Sequence, residues 1–151
     1  MTPGGMRSWA PASGIWGFGA VVVGADVASG APAVALVEAL ALATLGGVVS
    51  PLAFPRSLSA AEAQRRSAQD GRPVVFWRPG CSYCLRLRFR LGRRSREAYW
   101  VNIWADRAAA ARVRDVTGGD ETVPTCVVGD QAVVNPDPAW VRAACLASVR
   151  T

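Results

Sequence analysis

Residues 73–91 read Pro73-Val74-Val75-Phe76-Trp77-Arg78-Pro79-Gly80-Cys81-Ser82-Tyr83-Cys84-Leu85-Arg86-Leu87-Arg88-Phe89-Arg90-Leu91. The first five form a short apolar run bounded by Gly71 and Pro79, the pattern of a buried strand. Arg78-Pro79-Gly80 turns the chain. The alternation from Leu85 to Leu91 resembles a strand at first sight. A helix places Cys84, Leu87 and Leu91 on one face, with Leu85 and Phe89 beside them. Arg and Leu favour helix, and Gly92 stands near its end, so helix is the preferred reading.

A strand that turns into a helix at Cys81 has a chemical meaning. The first backbone N–H groups of a helix lack intrahelical partners, and its N-terminus carries positive dipole. Both favour thiolate, so Cys81 is expected to have a lowered pKa. Two intervening residues let Cys84 meet Cys81 sulfur to sulfur, and the pair can cycle between dithiol and disulfide. Cys81 is the expected nucleophile and Cys84 the resolving thiol, with Arg78 adding positive charge. Half a zinc site is the bland alternative. It needs two more ligands, the chain has no His, and Cys126 and Cys145 do not form a second such pair. An iron–sulfur role and a structural disulfide are the other readings of the pair.

Further along, Tyr99–Ile103 reads as a second strand and Asp106–Val116 as an Ala- and Arg-rich helix. Thr122-Val123-Pro124-Thr125 leads into a third strand, Cys126-Val127-Val128. Gly129-Asp130 is a hairpin turn, Ala132–Val134 the fourth strand, and Asp137–Val149 a closing helix with Val141, Cys145 and Val149 on one face. The order is β-α-β-α-β-β-α.

These residues resemble the glutaredoxin branch of the thioredoxin-like fold. Cys-x-x-Cys follows a strand, Thr122-Val123-Pro124 precedes the third strand, Arg78 stands where glutaredoxins often carry Lys, and Tyr83 matches the aromatic residue of the family motif. The resemblance covers about residues 73–149. It is closest to the mycoredoxin-type subgroup, through Cys81–Leu87, Gly118-Gly119 with Thr122–Thr125, and Asn135-Pro136. It implies catalysis by Cys81 and Cys84, substrate binding by Arg78, Tyr83, Val123 and Pro124, and no metal or bound cofactor. It further implies a cis bond before Pro124, which presents Val123 backbone groups beside Cys81. The cosubstrate implied is a low-molecular-weight thiol, mycothiol rather than glutathione, acting on mixed disulfides of proteins. Two positions depart from the pattern. Ser82 replaces the usual Pro or Gly, and Asn135 and Asp137 do not reproduce the late acidic site that holds glutathione in many glutaredoxins. The wealth of Ala, Gly, Pro and Val, with Arg and no Lys, fits a GC-rich bacterial genome.

The front of the chain is of another kind. The length of 151 residues suggests one domain, and 51% apolar residues argue against disorder. Yet residues 1–55 hold only Arg7, Asp26 and Glu38, whereas the remainder holds sixteen Arg and nine acids. About 20 apolar residues cross a bilayer. Two segments, near 13–28 and 31–54, are expected to form a membrane hairpin turning at Gly30-Ala31-Pro32, with Trp9 and Trp16 suited to an interface. A single span, a cleaved signal peptide and burial in a soluble core are the alternatives. Arg56, Arg65, Arg66 and Arg72 follow the second segment, and the positive-inside rule then places the rest in the cytoplasm, at the inner membrane. Regular helix is expected to stop near Ser50, before Pro51. Residues 56–72 read as a solvated, amphipathic helical linker, with Ser59-Ala60-Ala61-Glu62 a capping box and Gly71 the stop; contact of its arginines with anionic lipid head groups is the alternative. Residues 73–151 then form the redox domain.

Cys126, Cys145, Trp77, Trp100 and Trp104 read as core or rim residues. The band Arg86, Arg88, Arg90, Arg93, Arg94, Arg96 reads as a solvated helix face, with apposition to the anionic inner leaflet, or an electropositive rim favouring Cys81 thiolate or an acidic partner, as alternatives. No nucleic-acid motif accompanies the basic charge, so no nucleic acid partner is expected. The expected protein is a membrane-anchored thiol–disulfide oxidoreductase with mixed-disulfide proteins, a small thiol and the lipid bilayer as partners. The competing readings are a thioredoxin-like reductase fed by a flavoenzyme and a non-enzymatic redox sensor or adaptor.

Overall fold

The computed structural model describes residues 3–148. Val149, expected on the last helix, lies outside them. Helix α1 spans Pro3–Ala28 and α2 spans Pro32–Val49. Ser29–Ala31 joins them, with Gly30 at φ +83° and Pro32 opening α2, where its missing N–H costs nothing. The stretches Trp9–Ala28 and Pro32–Val49 are long and apolar enough to cross a membrane. Their large side chains, among them Phe18, Val21, Leu36, Val37 and Leu40, are exposed. The two helices meet through small residues. Gly46 lies under the Trp16 indole, and Gly19 lies against Leu42.

The second helix stops at Val49, and Ser50 is fully buried, its hydroxyl donating to the Gly47 carbonyl at 2.7 Å. A 3₁₀ turn follows at Pro51–Ala53. Phe54, expected at the end of the second apolar segment, instead belongs to the core of the redox domain. Its ring stacks on Trp77 at 3.7 Å between centroids and tilts against Trp100 at 5.4 Å. The chain then runs along the sheet edge. Leu58 N–H donates to the Trp100 carbonyl and Asn102 N–H donates to the Ser57 hydroxyl.

Helix α3, Ala60–Asp70, begins as the capping box predicts, with Ser59 accepting from Glu62 N–H at 3.3 Å, and ends at Gly71 with φ +70°. The helix is amphipathic, as expected, but it does not stand off from the domain as a free connector. Ala60 and Ala63 are buried in the main core, because the small Ala side chains let α3 lie close against the sheet. Only the Glu62, Arg65 and Arg66 face carries salt bridges in solvent.

Four strands form one mixed sheet in the order β2-β1-β3-β4: β1 Val74–Trp77, β2 Tyr99–Asn102, β3 Thr125–Val128 and β4 Gln131–Val134. Strands β1 and β2 are parallel, with Trp77 beside Asn102, and β3 runs antiparallel to β1. All four β1 residues are buried, as a strand covered on both faces requires. Helices α4 (Ser82–Leu91), α5 (Arg107–Thr117) and α6 (Pro138–Ser148) complete the β-α-β-α-β-β-α order. Helix α4 packs with α6, and α3 with α5. A 3₁₀ segment, Gly92–Glu97, leads from α4 to β2. Asp106 caps α5 through the N–H groups of Ala108 and Ala109, while its other oxygen accepts from Ala60 N–H of α3 at 2.7 Å. One carboxylate thereby serves two helix starts.

Truncating Phe54 to Ala empties a site lined by two tryptophans. It is expected to lower the stability of the redox domain by about 3 kcal/mol, read by urea unfolding of the full chain in detergent. Leu52→Ala, at an exposed position, is expected to change it by less than about 0.5 kcal/mol.

Candidate active site

Cys81 is the residue immediately before α4, and its sulfur does the work usually given to a Ser or Asp oxygen. It accepts from Cys84 N–H at 3.3 Å and so caps the helix. The Cys84 thiol donates to the same sulfur at 2.6 Å. The Val123 carbonyl lies 3.4 Å from it. Cys81 is half-buried at the surface, while Cys84, one turn in, is fully buried.

These contacts set the two thiols apart. The Cys81 thiol is lowered to about 6, chiefly by the hydrogen bond from Cys84 and against the pull of partial burial, with help from Cys84 N–H, the Arg78 charge and Tyr83 N–H. Burial pushes Cys84 far upward, and so does its neighbour. Burial also raises Cys126, and it raises Cys145 to about 11. Cys81 is therefore mostly thiolate at neutral pH, and the other three thiols stay protonated.

The Val123–Pro124 bond is cis. It sits between the sulfur and a groove of about 360 Å³ lined by Tyr83, Arg86, Arg90, Pro124, Asn135 and Asp137, among others. Asn135 adopts φ +49° and its N–H donates to the Pro124 carbonyl at 2.8 Å, which ties the groove's far wall to the cis-proline loop. Asp137 accepts from Ala139 N–H and so caps α6.

The structure thus brings Cys81, Cys84, Val123 and Pro124 together, and sets Tyr83 in the groove wall. Arg78 stands apart from that groove, its guanidinium 5.9 Å from the centre of the Trp104 ring. The arginine band splits. Arg86 and Arg90 line the groove, whereas Arg88 is half-buried with one guanidinium nitrogen donating to the Gly92 carbonyl, and Arg94 pairs with Glu97. The roles of Arg86 and Arg90 were not read from the sequence, although their spacing of three and seven from Tyr83 puts all three on one helix face.

The fold and the activated thiol pair define a thioredoxin-like disulfide oxidoreductase. A model of the glutaredoxin family matches residues 74–133. "Putative glutaredoxin Rv3198A" and "Putative glutaredoxin MT3292", from the H37Rv and CDC 1551 strains of Mycobacterium tuberculosis, are each 45% identical to the chain over 72 residues, 46% of this chain and 84% of the relative. Comparison with solved structures found no match. The chain belongs to the glutaredoxin family, and it is a thiol–disulfide oxidoreductase.

Because Cys81 is held at about 6, its alkylation by iodoacetamide is expected to fall as pH drops through that value. Mass spectrometry of the tryptic peptides should show Cys84, Cys126 and Cys145 unmodified at neutral pH. Arg78→Gln is expected to move the Cys81 midpoint upward, since it removes a charge that favours thiolate.

Proposed function

We propose that this protein is a membrane-anchored glutaredoxin of the mycoredoxin type, reducing mixed disulfides between proteins and mycothiol on the cytoplasmic side of the inner membrane. The observation that carries the chemistry is the Cys81 sulfur, at the start of α4, open to solvent on one side and facing Val123 on the other. Its thiolate attacks the small-thiol sulfur of the mixed disulfide. One S–S bond breaks, another forms to Cys81, and the protein leaves as a thiolate that takes a proton from water. A second molecule of the small thiol, as thiolate, then attacks the Cys81 adduct. It frees Cys81 and leaves as the symmetric small-thiol disulfide. By the dithiol route, Cys84 attacks Cys81 instead, expels the small thiol and leaves a Cys81–Cys84 disulfide, which two further small thiols reduce. Burial and the high pKa of Cys84 favour the first route.

Val123 offers its carbonyl beside the sulfur. Tyr83 and Pro124 form the groove wall that receives the bound small thiol, and Arg78 holds Cys81 as thiolate. Mycothiol is preferred over glutathione on two grounds. The motifs resemble the mycoredoxin subgroup, and Asp137, in the region of the usual acidic site, is engaged in capping α6. Residues 1–55 serve as the anchor, on the strength of two apolar helices with exposed side chains, and the arginines beyond them orient the domain inward. Residues 56–72 lead from it into the redox domain, packing on it through α3, and 73–151 carry the catalytic part.

In a coupled assay with a mycothiolated protein, Cys81→Ser is expected to fall to the uncatalysed rate and Cys84→Ser to retain turnover. Full turnover by Cys81→Ser overturns the assignment. A higher kcat/KM with the glutathionylated protein overturns the choice of thiol. A reporter fused to the C-terminus is expected to be active in the cytoplasm, and periplasmic activity overturns the orientation.

A further inference from the structure

The end of the sheet that carries the thiol pair is also the end from which the apolar helices leave. Strands β1 and β2 are parallel, and Trp77 and Asn102 are their paired C-terminal residues. Cys81 follows Trp77 by four residues. The chain from α2 arrives at the same place, with Phe54 on Trp77 and Ser57 on Asn102. Residues 50–53, most of them in a tight 3₁₀ turn, are all that separate the last helical residue from that stack.

A second contact is independent of this connection. Gly80, the neighbour of Cys81, lies against α1, where a methyl added to it would touch the Pro11 ring at 3.8 Å. Pro11 falls in the first turn of the apolar stretch that begins at Trp9. On the proposed anchor, this contact places Cys81 beside the end of α1 at which that stretch enters the bilayer.

The side chains at this end suit such a place. Leu52, between α2 and the domain, is 71% exposed, an apolar group with little protein over it. Trp104 is half-buried under Arg78, and Tyr83 beside Cys81 is 64% exposed. Aromatic residues with one polar end, and arginines near phosphate, are favoured at the membrane surface.

We infer that the substrates are mixed disulfides on cysteines within a few residues of a membrane span of another protein, presented along the plane of the bilayer. This deepens the reading above and rests on it. A bilayer close beside Cys81 leaves little room for a globular protein to bring in its disulfide from that side. A cysteine just outside a span reaches the same height without moving toward or away from the membrane. The reaction is unchanged: Cys81 takes the small thiol, and the membrane protein leaves as a free thiolate.

The test uses the full chain in liposomes with single-span peptides, each carrying one cysteine as its mixed disulfide with mycothiol. In one peptide the cysteine stands about 3 residues beyond the span, and in the other about 30, at the end of a flexible tail. The near cysteine is expected to be reduced about tenfold faster. A 20-residue Gly/Ser insert between Ser50 and Pro51, which adds roughly 25 Å of reach, leaves the Phe54 stack in place but frees the domain from α1. It is expected to bring the two rates together while reduction of a small soluble mixed disulfide, which the bilayer does not hinder, is unchanged. Equal rates with the uninserted chain, or a preference that survives the insert, overturn the inference. Absence of turnover on the soluble disulfide overturns the catalytic reading and this one with it.

Discussion

A sulfur standing where a helix cap normally has oxygen is the constraint around which this protein is built. A chain that leaves a buried strand and starts a helix within five residues exposes N–H groups that need an acceptor. Cys81 supplies it, and the same contact stabilises the charged form of the sulfur that does the chemistry. Stability of α4 and reactivity of Cys81 therefore depend on one atom. The arrangement needs β1 to be held firmly, and the neighbours β2 and β3 together with Phe54 hold it.

Four thiols in one chain differ in reactivity because of position alone. Cys81 has backbone donors and solvent. Cys84 has a neighbour that competes for charge. Cys126 sits on a central strand, and Cys145 faces the core from α6. Burial disfavours a thiolate unless donors compensate, and of these four thiols it is at Cys81 that they outweigh burial. Selectivity for one cysteine thus comes from where the helix begins, reinforced by the Cys84 thiol and the Arg78 charge.

The strand–Cys-x-x-Cys–helix unit, the Thr-Val-Pro turn and the two apolar stretches were legible because each is written in consecutive residues. Periodicity and turn chemistry are local signals. What could not be read depends on contacts between distant residues. Phe54 looks like the end of an apolar segment until Trp77 and Trp100 are placed beside it. The alanines of α3 look like a bland linker, since Ala carries no sign of which side will be buried. Arg72 is one more base in the sequence, yet it donates to the Glu97 and Arg96 carbonyls and lies 4.6 Å from the Tyr99 ring centre. The groove escaped partial reading for the same reason, because Arg86 and Arg90 gain their role only when Asn135 and Pro124 close the other wall.

The short run through Ser57 and Leu58 has a consequence for the sheet as a whole. Strand β2 is an outer strand, and open outer strands invite pairing with other chains. Leu58 N–H and the Ser57 hydroxyl occupy the backbone groups of Trp100 and Asn102 on that side. The segment that ties the catalytic unit to its helices is thus also a shield against strand-to-strand aggregation. A soluble fragment begun at the first strand would lose that shield together with the Phe54 stack, so one that keeps the fold must begin before Phe54.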